Sequence, residues 1–283
     1  MENKISPVIA PADLVALWKT TAIVLVDARA GAEAGAQYET RHLEGALFVD
    51  LELQLAHKKT DAANGGRHPL PDPARFAAVL NELGIRPDSH VIIYDDKNGS
   101  NAAARFWWML KAAGHALVQV VDGGLDAAFA AGFPTRAGKE TAAPAGDYEI
   151  KKWQLSLAAI DEVEKARQSP GYLVIDVRDA VRFRGEKEPI DLVAGHIPGA
   201  INIPFTGNLD EQGFFLSTAE LKQKYSAALE NREPENVIVH CGSGVTACHT
   251  LLAIAQAGME IPTLYVGSWS EWSRNDKPIG TGE

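Results

Sequence analysis

A cysteine followed by a glycine-rich loop is the feature of this sequence that most directly indicates chemistry. Residues 241–247, Cys-Gly-Ser-Gly-Val-Thr-Ala, follow the apolar run Val237–His240 and precede the apolar helical pattern of residues 251–255. A strand that ends in cysteine, then a tight loop and a helix start, directs several backbone N–H groups and the helix dipole at the sulfur. Both effects lower the pKa of a thiol and raise its nucleophilic thiolate fraction. The loop therefore predicts that Cys241 is a nucleophile.

The second cysteine, Cys248, is predicted to be structural. It follows Cys241 by about two helical turns. A loop and a helix of that length hold the two Cα atoms too far apart for a disulfide. We therefore expect Cys248 to be a small buried residue of the helix after the loop.

The composition limits the classes of partner. The chain has 283 residues, of which 46% are hydrophobic and 23% are charged, and its formal net charge is −10. A chain of this length suits two globular domains of about 130 to 140 residues each. The negative charge argues against nucleic acid or an anionic membrane as a partner, because either would require a basic face. An anionic substrate would require local positive charge instead.

Targeting segments, metal sites and cofactor sites are not indicated. No apolar stretch approaches the roughly 18 residues of a membrane-spanning helix, and residues 1–6 lack an apolar signal region. The expected compartment is the cytoplasm. The histidines do not cluster with carboxylates or cysteines at metal-ligand spacing, and no nucleotide-binding loop is present. We therefore predict neither a metal nor a cofactor.

The chain contains two copies of one pattern, which indicates a tandem duplication. Three segments recur in the same order: a strand ending in Asp-x-Arg at 23–29 and 173–178, a His-hydrophobe-x-Gly-Ala motif at 42–46 and 196–200, and an apolar strand at 91–94 and 237–240. In each copy, short β-branched strands alternate with amphipathic helices, which is typical of an α/β fold with a mostly parallel sheet and helices on both faces. In such sheets ligands bind beyond the carboxyl ends of the strands, where Cys241 falls.

A segment rich in Ala, Gly, Lys and Pro at residues 135–146 is predicted to be the linker between the copies. We place the domain boundary near residue 140, so that the domains comprise residues 1–140 and 141–283.

Comparison of the two copies separates scaffold from chemistry. Asp95 occupies the position of Cys241 in the first copy, and a carboxylate cannot act as a sulfur nucleophile, so we predict that the N-terminal copy is inactive. Residues present in both copies are predicted to be structural, satisfying buried carbonyls of neighbouring loops. They are Asp27, Arg29, His42, Asp176, Arg178 and His196.

Residues found only in the second copy are better candidates for function. Ser243 and Thr246 place hydroxyl groups in the cysteine loop, although Thr246 equally suits the N-cap of the next helix. Arg182, Arg184 and Lys187 form a basic cluster without a counterpart in the first copy. For Arg184 and Lys187, a solvated charged loop is an equally good interpretation.

These motifs resemble the rhodanese superfamily, and over nearly the whole chain they are similar to its tandem-domain sulfurtransferases. The resemblance implies two tandem rhodanese-like domains, the first inactive and the second catalytic. It implies that Cys241 attacks the sulfur of a small anionic donor and becomes a persulfide, which the loop residues Gly242, Gly244, Val245 and Thr246 bind. A thiol acceptor such as thioredoxin, or cyanide, would then remove the outer sulfur.

The resemblance also implies a proton relay. Ser243 matches the loop serine of the family, and His68 in the segment Gly-Arg-His-Pro-Leu-Pro matches its histidine. The acid of the relay falls at Glu52, where the family usually carries aspartate. Without the resemblance, a histidine beside proline would be interpreted as a surface loop residue.

Two features of the sequence favour different donors. The neutral Gly-Ser-Gly loop is similar to that of 3-mercaptopyruvate sulfurtransferases, and Arg182 matches the first of two arginines that hold the mercaptopyruvate carboxylate. The second arginine falls at Ile190, which carries no charge, although Arg184 lies near enough to substitute. A missing guanidinium weakens a carboxylate clamp, which favours thiosulfate. The neutral loop favours 3-mercaptopyruvate, and we predict 3-mercaptopyruvate as the donor, with thiosulfate as the alternative.

Two other classes compete with a sulfurtransferase. Cysteine phosphatases also place a cysteine before an anion-binding loop, but they require arginine at the sixth position after it, where this chain has Ala247. A non-catalytic rhodanese-like binding module would not need the cysteine, whereas the intact Cys241 loop suits a persulfide. The sequence therefore favours an enzyme.

Overall fold

Residues 5–282 are described by a computed structural model, and they form two compact units. The first unit comprises residues 5–56, Pro71–Gln154 and Glu211–Phe215. The second comprises His57–Leu70, Leu155–Asp210 and residues 216–282. None of the helices within residues 5–282 is long and apolar enough to cross a lipid bilayer.

The two units divide between Gln154 and Leu155, later than the boundary near residue 140 that composition suggests. The intervening segment is hydrogen-bonded to the first unit. The N–H groups of Ala145 and Tyr148 donate to the backbone and side-chain oxygens of Asn81, both at 2.9 Å. The start of the predicted linker, Thr135–Arg136, is a β-strand instead. Composition could not indicate these bonds, because their partners are distant in sequence.

The first unit contains a five-stranded sheet, a two-stranded sheet and five helices. The strands are β1 (Val8–Ile9), β2 (Val24–Arg29), β3 (His42–Leu43), β4 (Leu47–Asp50), β5 (Val91–Tyr94), β6 (Val118–Val121) and β7 (Thr135–Arg136). The helices are α1 (Pro11–Trp18), α2 (Ala34–Thr40), α3 (Pro73–Glu82), α4 (Ala102–Ala112) and α5 (Gly124–Ala130). The main sheet is parallel, in the order β1-β6-β5-β2-β4, and β3 pairs antiparallel with β7.

Helices cover both faces of this sheet. The chain moves from β2 outward to β4 and then returns past β2 to β5. Because crossovers between parallel strands are right-handed, this reversal puts α2 and α3 on opposite faces. On one face, Leu14 of α1 and Leu125 of α5 pack in a single apolar cluster with Leu25 and Ile92 of the strands.

The second unit repeats the arrangement. Its strands are β8 (Leu173–Asp176), β9 (Ile201–Asn202), β10 (Val237–His240) and β11 (Thr263–Leu264). Its helices are α6 (Ile160–Ala166), α7 (Ala180–Phe183), α8 (Thr218–Leu229), α9 (Thr246–Gln256) and α10 (Ser268–Trp272). The sheet is parallel in the order β11-β10-β8-β9, the counterpart of β6-β5-β2-β4. The predicted α/β class with two repeated parallel sheets is confirmed.

Local sequence explains where the main elements begin. Helix α8 begins after Ser217, whose hydroxyl accepts the Glu220 N–H while the Glu220 carboxylate accepts the Ser217 N–H, a capping box. Helix α3 begins with Pro73 after Asp72, whose carboxylate accepts the N–H of Arg75. Strand β10 is buried along its whole length between β8 and β11, which is why it is a continuous apolar run.

The Asp-x-Arg motifs form buried ion pairs at the carboxyl ends of their strands. Arg29 binds Asp27 with two hydrogen bonds of 2.7 Å, and Arg178 donates to Asp176 at 2.6 Å. Each arginine also donates to the carbonyl oxygen of the residue just before the histidine of its copy, at 2.9 Å and 2.7 Å respectively. These buried contacts fit the structural role that the repeat predicts.

In the first unit, Asp95 fills the loop that corresponds to the cysteine loop. One carboxylate oxygen accepts the N–H groups of Lys97 and Gly99, at 2.9 Å and 2.8 Å. The other accepts those of Asn101 and Ala103, at 3.0 Å and 3.2 Å. The fully buried side chain thus satisfies four backbone donors of its own loop.

Replacement of Asp95 should therefore destabilise the first unit. We expect Asp95→Ala to lower the free energy of unfolding by about 2 to 4 kcal/mol, because buried backbone N–H groups lose their acceptor. Urea denaturation followed by circular dichroism would measure this change. The control is Asp96→Ala, which removes a neighbouring side chain in an exposed pair with Lys97 and should cost less than about 0.5 kcal/mol. Equal effects of the two substitutions would contradict the proposed role of Asp95.

Candidate active site

Cys241 lies at the carboxyl end of β10, a central strand of the second unit, immediately before the loop that leads into α9. Its side chain is buried, with 1% of the residue exposed. Neither Cys241 nor Cys248, both within the described residues, forms a disulfide. Cys248 is fully buried in α9, and its thiol donates to the Gly244 carbonyl at 3.3 Å. This is the packing position that the spacing of the two cysteines predicts.

One loop N–H group, rather than several, contacts the sulfur of Cys241 within the described part of the chain. The donor is Gly244, at 3.2 Å from Sγ. Gly244 has φ +75°, and a Cβ atom there would lie 2.6 Å from the Val266 carbonyl oxygen. Only glycine fits this position, because another residue would clash with that backbone. The loop therefore holds the Gly244 N–H against the sulfur by close packing on the segment after β11.

The first turn of α10 fixes the backbone of the cysteine loop. The N–H of Trp269 donates to the Cys241 carbonyl at 3.0 Å, and that of Ser270 donates to the Gly242 carbonyl at 2.9 Å. The Cys241 N–H in turn donates to the Ser268 hydroxyl at 3.2 Å. These three bonds hold the two residues at the start of the loop in one orientation.

The neighbouring residues of the loop start the helix. Val245 is buried at the N-cap position of α9, and Thr246 is the first helical residue, half-buried. Thr246 is therefore not the N-cap, which was the structural alternative for it. Its hydroxyl and backbone N–H remain at the helix start, next to the loop.

Segment His57–Leu70 contributes two further side chains to the site of the second unit. The N–H of Gly65 donates to Glu271 Oε1 at 2.7 Å, and that of Arg67 donates to Ser270 Oγ at 3.0 Å. Gly66 has φ +82°, and a Cβ there would lie 2.4 Å from the Gly267 carbonyl oxygen. The segment thus packs backbone to backbone against the start of α10.

His68 and Ser243 are brought together, as the proton relay requires. Nδ1 of His68 lies 2.8 Å from the Ser243 hydroxyl oxygen, and Ser243 is buried. The ring nitrogen can accept the hydroxyl proton or donate its own, according to tautomer. Glu52 lies in the turn after β4 of the first unit, where its N–H donates to Asp50 Oδ1 at 2.7 Å. Its part in the relay stays a prediction.

Arg182, on α7, is held by two buried carboxylates. Its Nε and Nη2 donate to the two oxygens of Glu188 at 3.1 Å and 2.7 Å, and Nη2 also lies 3.3 Å from Asp191 Oδ2. Burial alone would raise the pKa of Glu188, but Arg182 and the N–H groups of residues 190 and 191 lower it below its ordinary value. The Glu188 side chain is therefore deprotonated at neutral pH, and it orients the guanidinium of Arg182.

Arg184 has different surroundings. Its Nε donates to Glu186 at 2.6 Å, in a pair whose side chains are 34% and 53% exposed. Arg184 therefore lies in a solvated charged loop, which is one of the two interpretations that its sequence allows. Its predicted part in donor binding has no support from these contacts.

His240, the residue before Cys241, is fully buried, with Nδ1 3.2 Å from the Cys241 carbonyl oxygen. Burial lowers the pKa of His240 below its ordinary value, although the nearby Asp176 carboxylate acts in the opposite direction. The imidazole is therefore uncharged at neutral pH. The positive charge near the cysteine loop comes from arginines.

Arg67 is a residue of the site that sequence analysis missed. Its Nη2 lies 3.2 Å from the position that a Cβ atom on Gly242 would occupy, and two nitrogens of Arg182 lie 3.5 Å and 3.6 Å from the same point. Two guanidinium groups therefore face the residue next to Cys241. Its one signal in the sequence is that Arg67 directly precedes His68, which matches the relay histidine of the family.

The rhodanese-like domain family matches this chain twice, at residues 10–131 and 159–275. Among curated relatives, a probable 3-mercaptopyruvate sulfurtransferase from Pseudomonas aeruginosa is 44% identical over 87% of this chain and 86% of its own length. A putative thiosulfate sulfurtransferase from Mycobacterium tuberculosis is 39% identical, with coverage of 87% and 86%. The human 3-mercaptopyruvate sulfurtransferase is 34% identical, with coverage of 88% and 82%.

Solved structures agree with these relatives. The 3-mercaptopyruvate sulfurtransferase of Escherichia coli is similar with a TM-score of 0.77 and 31% identity, over 94% of this chain and 100% of that chain. The enzyme of Leishmania major has a TM-score of 0.82 and 29% identity, over 94% and 74%. The resemblance inferred from the cysteine loop is confirmed across both repeats. This chain belongs to the rhodanese family, as a sulfurtransferase with two rhodanese-like domains.

Proposed function

We propose that this enzyme transfers sulfur from 3-mercaptopyruvate to a thiol acceptor such as thioredoxin, or to cyanide, through a persulfide on Cys241. One observation carries the proposal: Gly242, the residue after the buried thiol, faces the guanidinium groups of both Arg67 and Arg182. A small anion bound there would lie beside the nucleophile. Paired guanidinium groups bind carboxylates well, because their N–H donors are planar and always charged.

The chemistry follows from this placement. The Cys241 thiolate attacks the sulfur of the donor, an S–S bond forms and the C–S bond breaks. The electron pair of that bond leaves on carbon as the enolate of pyruvate, which then takes one proton. Ser243 is placed to give this proton and to regain one from His68, because its hydroxyl lies 2.8 Å from the ring nitrogen. An acceptor thiolate or cyanide then attacks the outer sulfur and releases the Cys241 thiolate.

The first unit supports the idea that such a loop binds a persulfide. A carboxylate oxygen of Asp95 and the outer sulfur of a cysteine persulfide are both two atoms beyond Cβ. In the first unit, four loop N–H groups bind oxygens at that distance. We propose that the loop residues Gly242, Gly244, Val245 and Thr246 bind the outer sulfur of the persulfide in the same way. The first unit, with its carboxylate in place of the thiol, is then the inactive one.

Thiosulfate is the second candidate donor. Relatives named as thiosulfate sulfurtransferases are 39% and 34% identical over most of this chain. The sulfonate end of thiosulfate is also an anion that two guanidinium groups can bind. We favour 3-mercaptopyruvate because the relay of Ser243 and His68 serves a carbon leaving group, whereas sulfite leaves as a stable anion. The cytoplasmic location stays a prediction from sequence.

The persulfide is tested by the mass of the intact protein after incubation with each donor. We expect the wild-type enzyme to gain the mass of one sulfur atom, faster from 3-mercaptopyruvate than from thiosulfate. Cys241→Ser should gain none, because a serine hydroxyl cannot form a persulfide. Sulfur loading on Cys241→Ser would contradict the mechanism, and faster loading from thiosulfate would favour that donor.

Cys248→Ala is the matched cysteine variant. Because Cys248 packs in α9 and does not react, we expect sulfur loading and turnover to stay within about threefold of wild type. The steady-state rate with 3-mercaptopyruvate measures this. A loss as large as that of Cys241→Ser would show that Cys248 takes part in the chemistry.

The proton relay predicts a loss that depends on the donor. Ser243→Ala should lower kcat with 3-mercaptopyruvate about 100-fold, because the enolate loses its proton donor. Loading from thiosulfate should fall much less, since sulfite requires no proton on carbon. Single-turnover kinetics with both donors measure the two rates. Thr246→Ala, which removes another hydroxyl of the loop, should change both rates by the same factor. Equal losses with both donors for Ser243→Ala would argue against the relay.

A further inference from the structure

The family resemblance implies a donor clamp of two arginines, of which this chain has Arg182, while Ile190 falls at the position of the second. The structure brings another guanidinium, that of Arg67, beside Arg182. Arg67 and Arg182 lie within 3.2 to 3.6 Å of one point, the Cβ position of Gly242. Arg67 comes from segment His57–Leu70 and Arg182 from α7, so the chain brings them together from distant positions.

Asp191 holds both arginines in place. Its fully buried carboxylate forms ion pairs with Nη1 of Arg67 and with Nη2 of Arg182, the second at 3.3 Å. It also accepts from Nη1 of Arg274 at 3.0 Å. Asp191 directly follows Ile190, so the segment that lacks the second arginine carries the carboxylate that recruits Arg67.

Both arginines keep donors available for a ligand. Nη2 of Arg67 and Nη1 of Arg182 have no hydrogen-bond acceptor among residues 5–282, and both point at the Gly242 position. The side chains are 23% and 12% exposed, whereas their carboxylate partners are buried. The carboxylates thus hold one side of each guanidinium and leave the other side to the solvent and the cysteine loop.

The charge of the cluster also suits an anion. The ion pairs connect four arginines to three carboxylates: Arg67, Arg178, Arg182 and Arg274 with Asp176, Glu188 and Asp191. One positive charge is left without a counterpart in this network. A chain with a net charge of −10 therefore concentrates local positive charge beside Cys241.

We infer that Arg67 is the second arginine of the donor clamp, and that with Arg182 it binds the carboxylate of an α-keto acid thiol while Cys241 attacks the sulfur. Arg67 replaces the guanidinium missing at Ile190, and Arg184 has no part in the clamp. The inference rests on the proposed function and assigns the residue that determines its preference for an acidic donor.

Kinetics of Arg67→Met with 3-mercaptopyruvate test this assignment. The KM should rise about 10- to 100-fold, which is the effect of losing hydrogen bonds to a charged group, while kcat stays within about threefold. With mercaptoacetone, which has the keto and thiol groups but no carboxylate, wild type and Arg67→Met should have the same kcat/KM. Arg67→Lys should recover part of the loss, because lysine keeps the charge without the fork of donors.

Arg274→Met is the matched control. Arg274 also binds Asp191, but its Nη1 donates to Asp191 and to the Ser270 carbonyl, and the three atoms nearest the Cβ position of Gly242 belong to Arg67 and Arg182. The substitution removes one charge of the network but none of the nitrogens nearest Gly242, so it should raise the KM for 3-mercaptopyruvate several-fold less than Arg67→Met does. Alkylation of Cys241 by iodoacetamide, a neutral reagent, should proceed at the wild-type rate in both variants at a pH high enough to ionise the thiol fully.

The outcomes separate the inference from the proposed function. If wild type takes sulfur from neither donor, the proposed function fails. If wild type is active but Arg67→Met keeps the wild-type KM, or loses equal activity with mercaptoacetone, the clamp is wrong while the function stands. An equal rise in KM for Arg274→Met would assign Arg67 a structural role instead. If Arg67→Met does not fold, the KM of Arg67→Lys for 3-mercaptopyruvate is the test. A KM equal to that of the wild-type enzyme would then overturn the inference.

Discussion

The arrangement of the candidate site depends on the buried carboxylate of Asp191. It forms ion pairs with three arginines from three different parts of the second unit. A buried carboxylate without partners would be strongly unfavourable, so burial of Asp191 requires the arginines to stay close. Arg67 and Arg182 are fixed on the Asp191 side and open on the side of the cysteine loop. A structural ion-pair network therefore also produces a preorganised anion site, which costs little further ordering when a donor binds.

One helix turn fixes both the backbone of the cysteine loop and the neighbouring segment. The first turn of α10 bonds to the carbonyls of Cys241 and Gly242, and the same turn anchors segment His57–Leu70 through Ser270 and Glu271. One short helix thus positions the nucleophile, the Ser243–His68 pair and Arg67. Displacement of this turn would move all of these groups together.

The two units show how one loop geometry serves two purposes. In the first, the Asp95 carboxylate satisfies the loop N–H groups permanently and contributes to stability. In the second, the shorter thiol of Cys241 accepts from one loop N–H group among residues 5–282, that of Gly244. A cysteine side chain ends one atom earlier than an aspartate, and addition of a sulfur atom makes up that difference. The two repeats thus differ at this position by one side chain, a carboxylate in the first and a thiol in the second.

Local pattern is enough to identify the repeated α/β fold and the central strands, and it carries the prediction that Cys241 is the nucleophile. The predicted strands at 91–94 and 237–240 match β5 and β10 because a strand buried on both faces is a continuous apolar run with clear ends. Cys248 was assigned to packing for a similar reason, since its helical spacing from the loop is local. The two compact units divide later than the predicted boundary near residue 140, because hydrogen bonds to Asn81 hold the segment around residues 145 and 148 in the first unit.

The anion clamp required the folded chain. Arg67 and Asp191 are 124 positions apart, and an ion pair between residues so distant leaves no periodic signal in the sequence. Nearness along the chain favoured Arg184, which lies two residues after Arg182 but pairs with Glu186 in an exposed loop. The sequence alone indicated the residue that we propose as the nucleophile, because the strand, the glycine turn and the helix start are adjacent. Packing of the second unit decided which charges surround that residue, because ion pairs with the buried carboxylates of Asp191 and Glu188 bring Arg67 and Arg182 to the same point beside Gly242.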